Sequence, residues 1–120
     1  MTIAQRFINS DTDFKDYDFK ARMKRRSRSL DTKIASQNLL LMKHIFDSYD
    51  VKFTLLFGTV LGAVRQNSFI EHDTDTDTGI FEEDRDKLIE AIPTLLENGF
   101  DIIRTKYPDD LVTFMKDDEY

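Results

Sequence analysis

Apolar residues in the middle of the chain recur with the spacing of an amphipathic helix. Between residues 31 and 49 they lie three or four positions apart, which brings them onto one helix face. The residues on this face are Ile34, Ala35, Leu41, Met42, Ile45, Phe46 and Tyr49. Ser29 and Asp31 precede the run, and either side chain can accept hydrogen bonds from the free N–H groups of the first turn. The pattern predicts a helix with a serine or aspartate cap.

The next segments change from strand-like to helix-like and back. Residues 51–57 are rich in β-branched and aromatic side chains and predict a strand that stops at Gly58. A tight glycine turn there would lead into a short helix over residues 59–65. Aspartate and threonine then alternate, and an apolar end follows, over residues 73–81. This alternation predicts an extended strand.

The last third of the chain predicts a helix followed by a β-hairpin. Apolar residues recur at helical spacing over residues 83–98 after an acidic first turn, and Gly99 is a typical helix stop. Pro93 lies inside this run and can interrupt it. A turn composition separates two strand-like segments, residues 100–106 and 111–116. The order of elements predicts an α/β (α+β) fold, with a mixed β-sheet flanked by helices.

The length of the chain fits one folded domain. With 120 residues, 40% of them hydrophobic, the chain can bury roughly two thirds of its unfolded surface. Residues 1–19 mix aspartates with aromatic residues without a clear period, which suggests a surface-wrapping arm or a short helix. We therefore expect an N-terminal arm over residues 1–28 and one domain over residues 29–120, either complete or cut short at its C-terminus.

The composition excludes several classes of site. The chain has no cysteine, so disulfides, thiolate zinc sites and a catalytic cysteine are excluded. The net charge of −6 disfavours a dedicated nucleic-acid-binding domain, because an acidic surface repels phosphate backbones. The start of the chain lacks the features of a signal peptide, and no apolar stretch is as long as a membrane span. We expect a cytoplasmic protein with no nucleic-acid partner.

Positive charge is nevertheless concentrated in one short segment from Lys20 to Arg28. Such a segment is suited to contact with a polyanion, such as a charged glycan, or with the surface of an anionic membrane. A solvated helix face that balances the acidic remainder explains the same residues equally well.

Three aspartates, Asp73, Asp75 and Asp77, alternate along the predicted strand. Alternate side chains of a strand share a face, at steps of about 6.5 to 7 Å. Neighbouring carboxylates at this spacing repel by about 2 kcal/mol at an effective dielectric near 20, so a partly buried set needs a cation or a proton. Hard oxygen ligands of this kind suit Mg²⁺ or Mn²⁺ bound together with substrate phosphates. A solvated acidic loop without a ligand is the alternative.

The segment before the aspartates has the features of a phosphate site. A glycine turn at the start of a helix presents free N–H groups to an anion, and Thr59 adds a hydroxyl and a plausible helix cap. Arg65 fits either a phosphate contact or a surface salt bridge. Of the two histidines, His72 fits a metal ligand or, more simply, an exposed loop residue, and His44 lies on the polar side of its helix.

Taken together, these segments resemble the signature of the LicD/fukutin family of the nucleotidyltransferase superfamily. The shared features are a Gly-Thr-x-Leu-Gly-x-x-Arg segment at residues 58–65, an apolar Phe-Ile pair at residues 69–70, and the D-x-D-x-D strand. The resemblance is densest over residues 53–81. It implies a minimal nucleotidyltransferase fold and the transfer of a phosphorylated alcohol, such as phosphocholine or ribitol phosphate, from a CDP-linked donor to a glycan hydroxyl.

The resemblance also implies roles for individual residues. Gly58 and Thr59 would contact the donor phosphate, and Arg65 would pair with a phosphate or brace the site. Asp75 and Asp77 would ligate Mg²⁺.

Asp73 would complete the acidic set, as a further ligand or as the base for the acceptor hydroxyl. The superfamily usually adds a third carboxylate from a later strand, and here Asp117, Asp118 or Glu119 would have to supply it.

Two other functions fit the same residues. One is a minimal nucleotidyltransferase that places a nucleotide monophosphate on a protein or small molecule. The other is a catalytically silent module that binds nucleotides or regulates a partner, which a missing late carboxylate would favour.

Overall fold

A computed structural model describes residues 3–7, 29–70, 75–106, 111–117 and 119–120. The helices are α1 (Ile3–Phe7), α2 (Thr32–Ser48), α3 (Phe57–Gln66) and α4 (Arg85–Glu97), with a 3₁₀ turn at Glu82–Asp84. The strands are β1 (Phe53–Leu55), β2 (Thr78–Ile80), β3 (Asp101–Lys106) and β4 (Leu111–Met115). The basic segment from Lys20 to Arg28 and the predicted turn at residues 107–110 lie outside the described residues.

The strands form two small sheets. β1 pairs with β2 in antiparallel fashion, with Thr54 opposite Gly79, and β3 pairs with β4 in the same way, with a register shift between Ile102 and Arg104. The predicted α/β class and the C-terminal hairpin are confirmed. In place of one mixed sheet, however, the described strands form two separate antiparallel pairs. β1 has only three residues because α3 begins two positions after its end.

The hydrophobic core lies between α2 and α4. Its buried side chains include Ile45 and Phe46 of α2 and Ile92 and Leu95 of α4. Ile3 of the short helix α1 is buried in the same cluster. The start of the chain therefore packs against the domain at this residue. None of the described helices is long and apolar enough to cross a membrane.

Both ends of α2 are fixed by hydrogen bonds. Asp31 is the N-cap, and its carboxylate accepts hydrogen bonds from the N–H groups of Lys33 and Ile34, at 3.1 Å each. At the other end the hydroxyl of Tyr49 lies 2.6 Å from that of Thr94 on α4. The predicted aspartate cap and the helix itself are confirmed.

The helix predicted over residues 83–98 forms as a 3₁₀ turn followed by α4, and it continues through Pro93 to end before Gly99, whose φ is +94°. Asp84, the last residue of the 3₁₀ turn, is buried. Its carboxylate accepts a hydrogen bond from the N–H of Lys52 at 3.2 Å and lies 3.6 Å from the ammonium of Lys87. Lys87 also reaches Asp50 at 3.1 Å and lowers the pKa of that exposed carboxyl.

α3 packs against the domain through its smallest residues. Thr59 and Gly62 are buried, and a Cβ atom at Gly62 would overlap the carbonyl oxygen of Ser68 and lie 3.0 Å from the amide nitrogen of Ile70. The larger apolar side chains of the helix are exposed: Phe57, Val60, Leu61 and Val64. The absence of a side chain at Gly62 thus allows the chain after α3 to lie directly on the helix.

We predict that Gly62→Ala lowers the free energy of unfolding by about 1 to 3 kcal/mol, because the backbone of residues 68–70 must move to admit the methyl group. Urea unfolding followed by circular dichroism measures the change. Val64→Ala on the exposed face of the same helix is the control, with an expected change within about 0.5 kcal/mol. A Gly62→Ala protein as stable as wild type would contradict this packing.

Candidate functional site

A cavity of about 830 Å³ opens between the two sheets, above α2 and α4. Much of its wall is apolar and aromatic, with contributions from Phe46, Phe57, Phe81, Phe100 and Phe114. Its polar lining residues include Asp75, Asp77, Glu82, Arg85 and Glu119. The cavity therefore combines an apolar interior with a strongly charged wall.

Two of the three predicted aspartates lie in the wall of this cavity. Asp75 is exposed and Asp77 is half-buried. The predicted strand is shorter than expected, because β2 begins only at Thr78 and Asp75 lies in a bend. Asp73, together with His72, lies outside the described residues. Asp75 and Asp77 thus both line the cavity, although they do not lie on one long strand.

The main chain of Asp77 is bonded to the segment that begins α3. Its N–H donates to the Oγ1 of Thr59 at 2.9 Å, and its carbonyl accepts a hydrogen bond from the N–H of Leu56 at 3.0 Å. The second bond extends the β1–β2 pairing by one position. Residues 56–59, at the start of α3, and the segment that contains Asp75 and Asp77 are thus neighbours in the fold as well as in the sequence.

The start of α3 differs in detail from the prediction. The helix begins at Phe57, which has a φ of +50°, and Gly58 is its second residue. The N-cap is Leu56, which has no side-chain acceptor, so the prediction that Thr59 caps the helix is wrong. Because the first N–H groups of a helix have no acceptor within it, the amides of Phe57 and Gly58 are available to an anion at this end.

Residues 50–110 match the family described as LicD/FKTN/FKRP, nucleotidyltransferase domain. This match covers about half of the chain, including α3, the aspartate segment and α4. The chain belongs to the LicD family. No curated protein and no solved structure matches it. Membership indicates a transferase with a function like that of phosphotransferases and nucleotidyltransferases.

Two arginines of the LicD domain differ in their relation to the cavity. Arg65 is exposed in the last turn of α3, outside the cavity wall, and none of the ion pairs among the described residues involves it. Its predicted phosphate contact stays a prediction. Arg85, at the start of α4, lies in the cavity wall and is half-buried. The sequence did not single out Arg85, because only the packing of α4 beneath the cavity brings it there.

The candidates for the third carboxylate, which the superfamily usually supplies from a later strand, differ in their surroundings. Asp117 is exposed and pairs with its neighbour Lys116 at 2.8 Å, whereas Asp118 lies outside the described residues. Glu119 is buried in the cavity wall, and its carboxylate accepts a hydrogen bond from the N–H of Asp31 at 3.2 Å. Glu119 thus braces the start of α2.

The oxygen donors in the cavity wall suit Mg²⁺ bound together with a substrate. Among the described residues, no three acidic or histidine side chains are grouped closely enough to hold a metal ion by themselves. Mg²⁺ is, however, usually held by one or two carboxylates together with water and substrate phosphates. Asp75 and Asp77 can supply that number of ligands beside a cavity with room for the phosphates.

The left-handed backbone of Phe57 leads to a stability prediction. A side chain at positive φ costs about 1 to 2 kcal/mol, and Phe57 is 76% exposed and therefore loses little packing when removed. We expect Phe57→Gly to raise the free energy of unfolding by about 1 kcal/mol. Val60→Gly, in the interior of the helix, should lower it by about the same amount. Urea unfolding of both variants tests the pair, and a loss of stability in both would contradict the assigned backbone conformation.

Proposed function

We propose that this LicD-family protein is a metal-dependent phosphotransferase that moves a phospho-alcohol, such as phosphocholine, from a CDP-linked donor to a glycan hydroxyl. The observation that carries the proposal is the direct bonding of Asp77 to Leu56 and Thr59. It brings a helix N-terminus, which is suited to an anion, next to the segment of the two candidate metal ligands, and this supports the proposal.

The cavity supports the binding of a nucleotide-linked donor. Its volume of about 830 Å³ lies within the range of small-molecule sites. Its aromatic and apolar interior suits the organic parts of the donor, and the amide of Gly58 at the start of α3 suits a phosphate oxygen. Arg85 in the wall, and Arg65 at the end of α3, are the candidate cations for the remaining phosphate charge.

In the proposed reaction the acceptor hydroxyl attacks the phosphorus that carries the alcohol. A bond forms between this phosphorus and the glycan oxygen, the bond to the bridging oxygen breaks, and CMP leaves. The proton of the hydroxyl passes to a carboxylate, a role that we assign to Asp73. Asp75 and Asp77 would hold Mg²⁺ or Mn²⁺, which when bound neutralises charge on the phosphate oxygens. The protein's own contribution is to orient the donor beside the acceptor.

The acceptor and the location of the reaction form part of the same proposal. A polyanionic glycan or an anionic membrane surface would meet the basic segment from Lys20 to Arg28 through charge attraction. We propose that the reaction takes place in the cytoplasm and involves no nucleic acid.

The proposal predicts that Asp75→Asn together with Asp77→Asn weakens Mg²⁺-dependent donor binding at least tenfold, because the variant loses both ligands in the cavity wall. Isothermal titration of CDP, CDP-choline, CDP-ribitol and ATP, with and without Mg²⁺, measures the effect. Asp86→Asn with Glu90→Gln on the exposed face of α4 removes the same charge away from the cavity and should bind like wild type. Equal donor affinity in both double variants would overturn the proposal.

The choice of ligand separates the proposal from its alternatives. Mg²⁺-dependent preference for a CDP compound supports the phosphotransferase. Preference for ATP, together with transfer of label from an α-phosphate to an acceptor, identifies a nucleotidyltransferase instead. Absence of turnover with every nucleotide and metal, with or without binding, favours the catalytically silent module.

A further inference from the structure

The hydroxyl of Thr59 is buried between α3 and the aspartate segment. The residue is only 3% exposed, and its Oγ1 accepts the hydrogen bond from the N–H of Asp77 at 2.9 Å. A hydroxyl in this position lies beneath the surface that a donor phosphate would contact. Its observed hydrogen-bond partner is the backbone amide of Asp77, which is itself a candidate metal ligand.

The carbonyl of Asp77 is held as well. It accepts a hydrogen bond from the N–H of Leu56 at 3.0 Å, and the side chain of Leu56 packs so closely on Gly79 that a Cβ atom there would lie 2.9 Å from its Cδ1. The strand that follows Asp77 is therefore fixed against the segment before α3. The hydrogen bond to Thr59 fixes the N–H of Asp77 as well, on the side of the residue that leads back to the bend at Asp75.

We propose that Thr59 is a positioning residue, which orients the carboxylates of Asp75 and Asp77 by holding the main chain of Asp77 and does not contact the donor phosphate. The metal-binding part of this inference rests on the proposed function. Partners that hold metal ligands in place typically affect metal affinity by about 10- to 100-fold, because the ligating oxygens must be preorganised.

Threonine suits this role better than serine would. Its branched Cβ restricts χ1 and so limits the orientations open to the hydroxyl. Valine has nearly the same shape but no acceptor, and Thr59→Val would leave the N–H of Asp77 without its observed partner. Serine retains the acceptor and loses only the methyl group.

Two measurements on Thr59→Val and Thr59→Ser test the inference. The first is the exchange rate of the Asp77 amide hydrogen by NMR. The second is the affinity for Mn²⁺ alone, without nucleotide. We expect Thr59→Val to exchange this amide at least tenfold faster and to bind Mn²⁺ about tenfold more weakly, with wild-type circular dichroism. Thr59→Ser should stay within about threefold of wild type in both, because it retains the acceptor.

Thr54→Val on the exposed face of β1 is the matched control and should change neither quantity. If Thr59→Val does not fold, Thr59→Ala is compared with Thr59→Ser instead. The serine variant should bind Mn²⁺ more tightly than the alanine variant, because only serine retains the hydroxyl. Unchanged Mn²⁺ affinity in Thr59→Val, with weakened nucleotide binding, would overturn the inference and make Thr59 a phosphate ligand. A wild-type protein that binds Mn²⁺ neither alone nor together with CDP-choline would overturn the proposed function and the metal-binding part of the inference, while amide exchange still decides whether Thr59 holds Asp77.

Discussion

Asp77 is joined to the start of α3 through both of its backbone polar groups, and the arrangement of the site follows from these two bonds. A buried N–H or carbonyl left without a partner costs about 1 to 3 kcal/mol, so each bond gives the segment one strongly preferred position. The segment of Asp75 and Asp77 is thereby placed beside the N-terminal end of a helix, although the strand that follows it has only three residues. The position of the segment thus depends on tertiary hydrogen bonds more than on a long sheet.

The elements that the sequence predicts well are those whose stability is local. Asp31 caps α2 through bonds to the next turn, and Gly99 ends α4 with the left-handed backbone that glycine favours. Periodicity similarly indicates the buried faces of both helices, because residues three or four apart face the same side. These features need no knowledge of distant contacts.

The features that the sequence does not predict depend on contacts between distant segments. Asp84 lies four positions before Leu88, on the side of the helix that faces the core, but the sequence does not indicate that the N–H of Lys52 is the partner of its carboxylate. Arg85 enters the cavity wall only because α4 packs beneath both sheets. In the site itself, the sequence indicates Asp75 and Asp77 through their alternation, but not the bond to Thr59, since spacing alone does not show which face of α3 meets the aspartates.

The order of residues in the glycine-containing segment has a physical explanation in this fold. After α3 the chain must reverse, and Asn67 does so with a φ of +55° while the N–H of Ser68 donates to the carbonyl of Gly62 at 3.3 Å. That close return is possible only if Gly62 has no side chain. Thr59 lies one turn earlier on the same buried face, where it meets the chain again as that chain reaches Asp77. The spacing of threonine and glycine therefore allows the chain to return along the buried face of α3 and brings the aspartates beside the start of that helix.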